Sequence, residues 1–231
     1  MNKSEFDQYA DDYAELHRRS IAFSGCELDY FAEYKAKYAA ACFHEHCSKG
    51  EVLLDFGCGT GSSIPFFTNY LDNPALTCAD VSDKSLEIAK RRFGGLAIYS
   101  HINGPNLDLE SGSVAMVFSS CVFHHIILEQ QPAWFMELRR VTRPQGVALI
   151  FEHNPINPLT RRAVAECAFD KDAILLKAAT LSSRLRASGW TPLAVRYHVF
   201  FPGFLRRLRP VETWLGWLPL GGQYSVLSVK R

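Results

Sequence analysis

An α/β fold built on a mainly parallel seven-stranded sheet, with helices on both faces and an N-terminal helical cap, is predicted by three features of the 231-residue sequence. Short apolar runs alternate with helix-length segments through residues 52–152, the pattern of strand–helix–strand units. Two of those runs, Val114-Ala115-Met116-Val117-Phe118 and Val147-Ala148-Leu149-Ile150-Phe151, are apolar at every position, as strands are when helices cover both faces. The first run ends in Asp55-Phe56-Gly57-Cys58-Gly59-Thr60-Gly61, with glycines spaced by two where a strand must reverse tightly into a helix.

Taken in order, residues 4–19 and 28–47 have helical composition, the second through an Ala-rich stretch, and form the cap. Strands are expected at 52–55, 75–80, 96–100, 114–119 and 146–152, with helices at 60–70, 85–92 and 132–140 between them. From 154 to about 188 the composition turns helical again, until Gly189-Trp190 breaks it. Two further strands, at 191–199 and 223–229, complete the seven. No repeat or linker divides the chain, so one domain over 1–231 is expected: a cap (1–48), a ligand-binding core (50–155) and a substrate-side region (156–231).

With 48% hydrophobic and 21% charged residues the composition is that of an ordinary globular protein. Lys and Arg number 25 against 24 acids, so no basic field for nucleic acid exists, and a nucleic-acid substrate is not expected. The N-terminus lacks a signal-peptide apolar stretch, and no window reaches the ~18 apolar residues of a membrane span. Seven cysteines, at 26, 42, 47, 58, 78, 121 and 167, form no C-x-x-C pair, which suits a reducing compartment. A cytoplasmic protein is expected. His44 and His46, two apart on a helix, point to different faces, so no metal site is expected.

A dinucleotide-binding G-x-G-x-x-G needs glycines at 57, 59 and 62, but position 62 is Ser62 and the third glycine, Gly61, comes one residue early. Asp55 also opposes a pyrophosphate, which wants bare amides at a helix N-terminus, and suits a cationic ligand better. Both points weigh against a nicotinamide-dependent oxidoreductase. Asp80 ends the second strand, 19 residues beyond Gly61, where a carboxylate can accept hydrogen bonds from both hydroxyls of a ribose. Ser82 and Asp83 are better placed than Asp80 to cap the helix that follows.

The turn D-x-G-x-G-x-G at 55–61 resembles the first motif of class I S-adenosylmethionine (SAM) dependent methyltransferases. The resemblance spans roughly 50–155, includes Glu137-Leu138-Arg139-Arg140-Val141-Thr142-Arg143-Pro144-Gln145-Gly146 as the R-V-L-K-P-G-G turn with Gln145 in place of a glycine, and implies a Rossmann-like sheet. It implies SAM as cofactor and S-adenosylhomocysteine as product, with Asp55 near the methionine moiety, Gly57, Cys58, Gly59 and Gly61 around it, and Asp80 with Val81 at the ribose. Asn103 and Gly104 stand where similar proteins carry an Asp for adenine; an Asn oxygen accepts the same hydrogen bond, though Asn-Gly is also a common turn pair. The resemblance also implies that Ser119, at the end of the fourth strand, flanks the cofactor. Phe6-Asp7-Gln8-Tyr9-Ala10-Asp11-Asp12-Tyr13 is similar to the F-D-x-x-A-x-x-Y helix that folds over the cofactor, so Tyr9 and Tyr13 are lid candidates; Tyr34 and Lys35 are candidates to reach the cofactor carboxylate. The cysteine pattern excludes the usual cluster of radical SAM chemistry.

Methyl transfer from a sulfonium asks the protein mainly to align the acceptor and manage its proton, and histidine suits the second task. His124 and His125 after the fourth strand and His153 after the fifth are the candidates, with at most one of the adjacent pair expected to face the substrate. The expected activity is methylation of a small molecule with apolar or aromatic surface, at oxygen in preference to nitrogen, with a non-catalytic SAM sensor as the alternative. Residues 152–162, rigidified by two X-Pro steps, are expected to shape specificity. Residues 200–217 mix aromatics with arginines, and an aromatic cover packed on the core is expected there in preference to a membrane contact.

Overall fold

The computed structural model describes residues 28–72, 74–167, 170 and 172–231. The helix expected over 4–19, with Tyr9 and Tyr13, lies outside these residues. The cap helix α1 (Leu28–His46) is followed by β1 (Val52–Phe56), α2 (Ile64–Tyr70), β2 (Ala75–Asp80), α3 (Asp83–Phe93), β3 (Ile98–His101), β4 (Val114–Ser120), α4 (Gln131–Val141) and β5 (Thr142–His153). Then come α5 (Pro158–Glu166), α6 (Ala178–Ala187), β6 (Thr191–His198), the short α7 (Glu212–Leu215) and β7 (Gln223–Val229).

All seven strands form one sheet in the order β3-β2-β1-β4-β5-β7-β6. Strands β1 to β5 pair in parallel, while β7 inserts antiparallel between β5 and β6. Each face has its own core. Leu53, Phe67, Met116 and Phe118 pack with Ala36 and Phe43 of α1 on one side. On the other, Leu54, Phe56 and Val117 pack with Trp134 and Phe135 of α4. Consecutive residues of one strand thus enter opposite cores, which is why those strands read as unbroken apolar runs.

Local chemistry sets the element ends. Ser82 caps α3, its hydroxyl accepting from the Ser85 amide at 3.0 Å, as expected. The helix expected over 60–70 starts only at Ile64, because residues 57–63 are used by the glycine turn. β5 begins four residues earlier than expected, at Thr142, and includes the turn that carries Gln145. Gln145 sits at φ 62°, the left-handed region that favours glycine, while its amide donates to the Lys230 carbonyl at 2.8 Å. A side chain at the neighbouring Gly146 would come within 2.8 Å of the Ala115 carbonyl oxygen, so the close backbone approach falls on the glycine that was kept.

The segment around 200–217 departs from expectation. Phe204, Trp214 and Trp217 are 80%, 81% and 72% exposed, so these aromatics do not pack on the core. No described helix is long and apolar enough to cross a membrane.

Candidate functional site

The crossovers from β1 run outward to β2 and β3 on one side and then to β4 on the other, so the sheet's switch point lies between β1 and β4. Ligands of such sheets bind outside the carboxyl ends of the strands at that point. The glycine turn sits there. Gly57 and Cys58 donate their amides to the Ala79 carbonyl at 2.8 and 3.1 Å, which latches the turn to β2. Gly57 has φ 77°, and a Cβ there would lie 2.3 Å from a methyl of Val122; Gly61 has φ 78°, and its Cβ would lie 2.8 Å from Ile64 Cδ1. Neither position admits a side chain in this geometry.

Two carboxyls face this turn. Asp80 accepts from the Gly59 amide at 2.8 Å with one oxygen and from the Ser82 amide at 2.9 Å with the other. Its burial holds the pKa above the ordinary value despite those donors and the nearby His101. Asp55 is 2% exposed, and its Oδ2 has no hydrogen-bond partner. Burial, reinforced by the Asp80 charge and opposed by Lys35, pushes its carboxyl from 3.8 up to about 7. A buried, unpartnered carboxylate oxygen is expensive unless a cation or donor meets it. Beyond β3, Val81, His101, Ile102, Asn103, Gly104 and Trp134 line a cleft of about 360 Å³. Ser119 lies opposite Phe56 of β1 and is fully buried, its hydroxyl also without a partner.

The histidines assemble differently from expectation. His124 and His125 lie on one 3-10 turn after β4, Phe123–His125. They do not face apart: their ring centroids are 4.1 Å from each other, and both Nε2 atoms approach Asp170 Oδ1, at 3.5 and 3.3 Å. Adjacent residues on a 3-10 turn start about 120° apart, and it is the shared carboxylate of Asp170 that the two rings converge on. Glu152 fixes the turn from β5, one oxygen accepting from the Phe123 amide at 2.7 Å and the other meeting His124 Nδ1 at 2.6 Å. Burial alone would lower the His124 pKa, but the Glu152 and Asp170 charges outweigh it and hold the imidazole well above its ordinary value. Burial lowers the pKa of His125, with Asp170 working against it. The His153 ring is centred 5.1 Å from that of His124, and its charge acts on Cys121.

Cys121, Gln223 and His198 at this end of the sheet were not given a role from the sequence, whereas Tyr34 and Lys35 were candidates there. Cys121 stands at φ 60° just past β4. Burial pushes its thiol up, but His153 and Lys35 outweigh that effect and bring it down to about 7. Lys35 of α1 is buried, its ammonium 2.7 Å from Ser120 Oγ and 3.6 Å from the Cys121 sulfur. Tyr34 donates to Gln223 Oε1, and Gln223 Nε2 lies 3.7 Å from Cys121. Around them Tyr34, Phe151 and His198 form an aromatic cluster with centroids 5.1 to 6.1 Å apart. Burial, with Lys35 and Arg196, lowers the His198 pKa to about 4, so this ring is neutral. No short sequence spacing announces these residues: Tyr34 and Gln223 are 189 positions apart.

Residues 54–150 match a family described as a methyltransferase domain. The chain is 24% identical over 149 residues to an uncharacterized methyltransferase of Oceanobacillus iheyensis, a match that covers 63% of this chain and 65% of that protein. It superposes on a solved SAM-dependent methyltransferase of Thermotoga maritima, described as a possible histamine N-methyltransferase, with a TM-score of 0.70 at 16% identity, covering 99% of each chain. A Haemonchus contortus phosphoethanolamine N-methyltransferase solved with SAM superposes with a TM-score of 0.67 at 15% identity, covering 97% of this chain and 60% of that one. SAM, the cofactor of the two solved proteins, is one that this site fits: its ammonium would answer the unpartnered Asp55 oxygen, and the glycine turn leaves the Gly59 position open, with nothing within 4 Å of where a Cβ would stand. That turn, its two carboxyls and the seven-stranded sheet behind them fit the match of residues 54–150 to a methyltransferase domain, on a fold shared with solved SAM-dependent methyltransferases.

Proposed function

We propose that this chain moves the SAM methyl group to an oxygen of a small-molecule acceptor that carries apolar or aromatic surface, as one domain spanning the chain and working in the cytoplasm. The observation that carries the reading is the pair of buried carboxyls at the glycine turn, Asp55 with a free oxygen and Asp80 beside it. A ligand that brings both a cation and a vicinal diol satisfies the pair, and a dinucleotide pyrophosphate does not.

In this reading Asp55 receives the cofactor ammonium, while Gly57, Cys58, Gly59 and Gly61 let the backbone approach closely. Asp80 with Val81 holds the ribose hydroxyls, Asn103 and Gly104 in the cleft hold the adenine edge, and Ser119 closes the floor. Tyr9 and Tyr13 are the lid candidates. When bound, the cofactor supplies a methyl carbon already activated by its sulfonium. The chain's own residues then have two tasks. Tyr34, Phe151 and His198 offer the acceptor an aromatic wall, and a histidine takes its proton. His153 is the base we favour, since His124 is locked between two carboxylates and His125 also points at Asp170. Replacing His153 by Gln is expected to lower turnover by about 10²- to 10⁴-fold with SAM affinity unchanged. Equal turnover in the variant overturns that role.

The pH dependence of cofactor binding tests Asp55. Its carboxyl is protonated in the free protein below about 7, and a bound cation favours the ionised form. SAM affinity should therefore rise by up to about tenfold per pH unit toward pH 7. It should decline again where the ligand's α-amino group loses its proton, at roughly 8. For stability the sign is opposite: a raised carboxyl pKa contributes stability present below the unfolded value near 3.8 and lost as the pH rises through about 7. Asp55→Asn should remove the acidic limb of the calorimetric affinity profile, and an unaltered limb would place the titrating group elsewhere.

The reading as a whole is tested by incubating the protein with methyl-deuterated SAM and extract of its source cell, then searching aqueous and organic fractions by mass spectrometry. A metabolite carrying three deuteriums on oxygen supports it. Label on nitrogen corrects the acceptor atom, bound SAM with no labelled product favours a sensor, and no SAM binding overturns the site.

A further inference from the structure

We infer that His124, His125 and Asp170 form a binding site for one divalent transition-metal ion of the Zn²⁺ class. The inference is independent of which acceptor is methylated. Three donors converge: His124 Nε2 and His125 Nε2 stand 3.5 and 3.3 Å from the same oxygen, Asp170 Oδ1, and the ligand atoms of all three residues lie within 4.8 Å of one another. Those gaps are long for N–H···O hydrogen bonds, which cluster near 2.9–3.0 Å. They match the edge of about 3.4 Å between ligands of a tetrahedral ion bound at roughly 2.1 Å. Asp170 is 7% exposed, and its Oδ1 makes no hydrogen bond although two imidazoles face it.

The surroundings supply what a metal-ligating histidine requires. His124 turns its Nδ1 to the buried Glu152 carboxylate at 2.6 Å, which fixes the ring and leaves Nε2 as the ligand atom. The charge balance agrees. Glu152 and Asp170 bring two carboxylates, and with them a formal negative charge, to a site where both side chains are almost wholly buried. A divalent ion on a neutral His124 cancels it. The backbone holds the donors in place, since the Ile174 amide donates to the His124 carbonyl at 2.8 Å and ties the chain after Asp170 to the histidine turn. Two imidazoles and one carboxylate select first-row transition ions over Mg²⁺ or Ca²⁺, which prefer oxygen ligands. With three protein ligands the ion keeps a position open to a water or a ligand oxygen.

Chelator-stripped full-length protein titrated with Co²⁺, followed by its visible absorption, tests the site, with Zn²⁺ competition and X-ray absorption of the Zn²⁺ form. One equivalent should bind, Zn²⁺ should displace it, and the absorption spectrum should report two imidazoles. Asp170→Asn and His125→Ala should each weaken uptake by at least about tenfold. Retained SAM binding shows that a variant is folded, and if Asp170→Asn does not fold, His125→Ala decides. The inference is overturned if the stripped wild type takes up no equivalent while binding SAM, if Mg²⁺ alone binds, or if the folded variants bind as tightly as wild type. Metal uptake without SAM binding would instead overturn the proposed function and leave the metal site standing.

Discussion

Replacing Asp80 by Ala is expected to weaken SAM binding by at least about 10²-fold. A carboxylate that accepts from both ribose hydroxyls contributes two charge-assisted hydrogen bonds, each worth about 1.5–3 kcal/mol, and every ~1.4 kcal/mol is tenfold in affinity. The same side chain holds the Gly59 and Ser82 amides at 2.8 and 2.9 Å, so its loss also frees the glycine turn. These two effects can be separated. Asp80→Asn keeps an oxygen acceptor for one amide but loses the charge and half the accepting capacity, so it should lie between wild type and Ala. Titration calorimetry with SAM, and with adenosine as a ligand that carries the ribose but no ammonium, reads both. Asp80→Ala should weaken both ligands, whereas Asp55→Asn should weaken SAM and spare adenosine. Unchanged SAM affinity in a folded Asp80→Ala protein would remove the ribose assignment.

What made Asp80 legible was that its surroundings are local. The acid ends β2, the glycine turn ends β1, and the two strands are neighbours in register, with Asp55 opposite Cys78 and Phe56 opposite Ala79. A strand order set by short crossovers brings such pairs together without long-range information. The seven strands and the Ser82 cap were readable for the same reason: period, composition and capping chemistry act within a few residues. The antiparallel insertion of β7 between β5 and β6 was not, because it depends on register pairs such as Glu152 with Tyr224, 72 positions apart. Nothing in either strand alone names its partner.

The chemistry past the cofactor turn was legible only in part. His124, His125 and His153 stand out as residues at crevice ends, but Asp170 is 46 positions from His124 and lies beyond α5, in a stretch with no periodic pattern. The expectation that the adjacent histidines diverge considered their own element alone, and failed because both rings turn to Asp170, a residue from another part of the chain. Cys121 is similar: its left-handed backbone and its neighbours Lys35 and His153 come from α1 and β5. The exposed Phe204, Trp214 and Trp217 are the opposite case, since aromatic composition argues for burial and this surface does not provide it.

Glu152→Ala should produce the largest loss of stability, about 3–5 kcal/mol, the range for removing one partner of a buried ion pair. Glu152 is fully buried, and it is the residue through which β5 holds the histidine turn, by the Phe123 amide at 2.7 Å and His124 Nδ1 at 2.6 Å. Burial alone would raise its pKa, but the charge and hydrogen bond of His124 outweigh that and hold it below the ordinary carboxyl value. Truncation leaves the amide without an acceptor and His124 with Asp170 as its one remaining carboxylate. For a chain of this length the loss should lower the melting temperature by roughly 6–20 °C, at about 2–4 °C per kcal/mol. Glu152→Gln keeps an acceptor for the amide and loses only the charge, so it should cost less. In a double-mutant cycle, Glu152→Ala combined with His124→Ala should cost less than the two losses added, because the second change removes the group that the first leaves unpaired. Urea unfolding of the four proteins reads the coupling directly. An additive cycle, or a loss under about 1 kcal/mol for Glu152→Ala, would mean that the pair does not hold the turn, and the placement of His124 and His125 would need another cause.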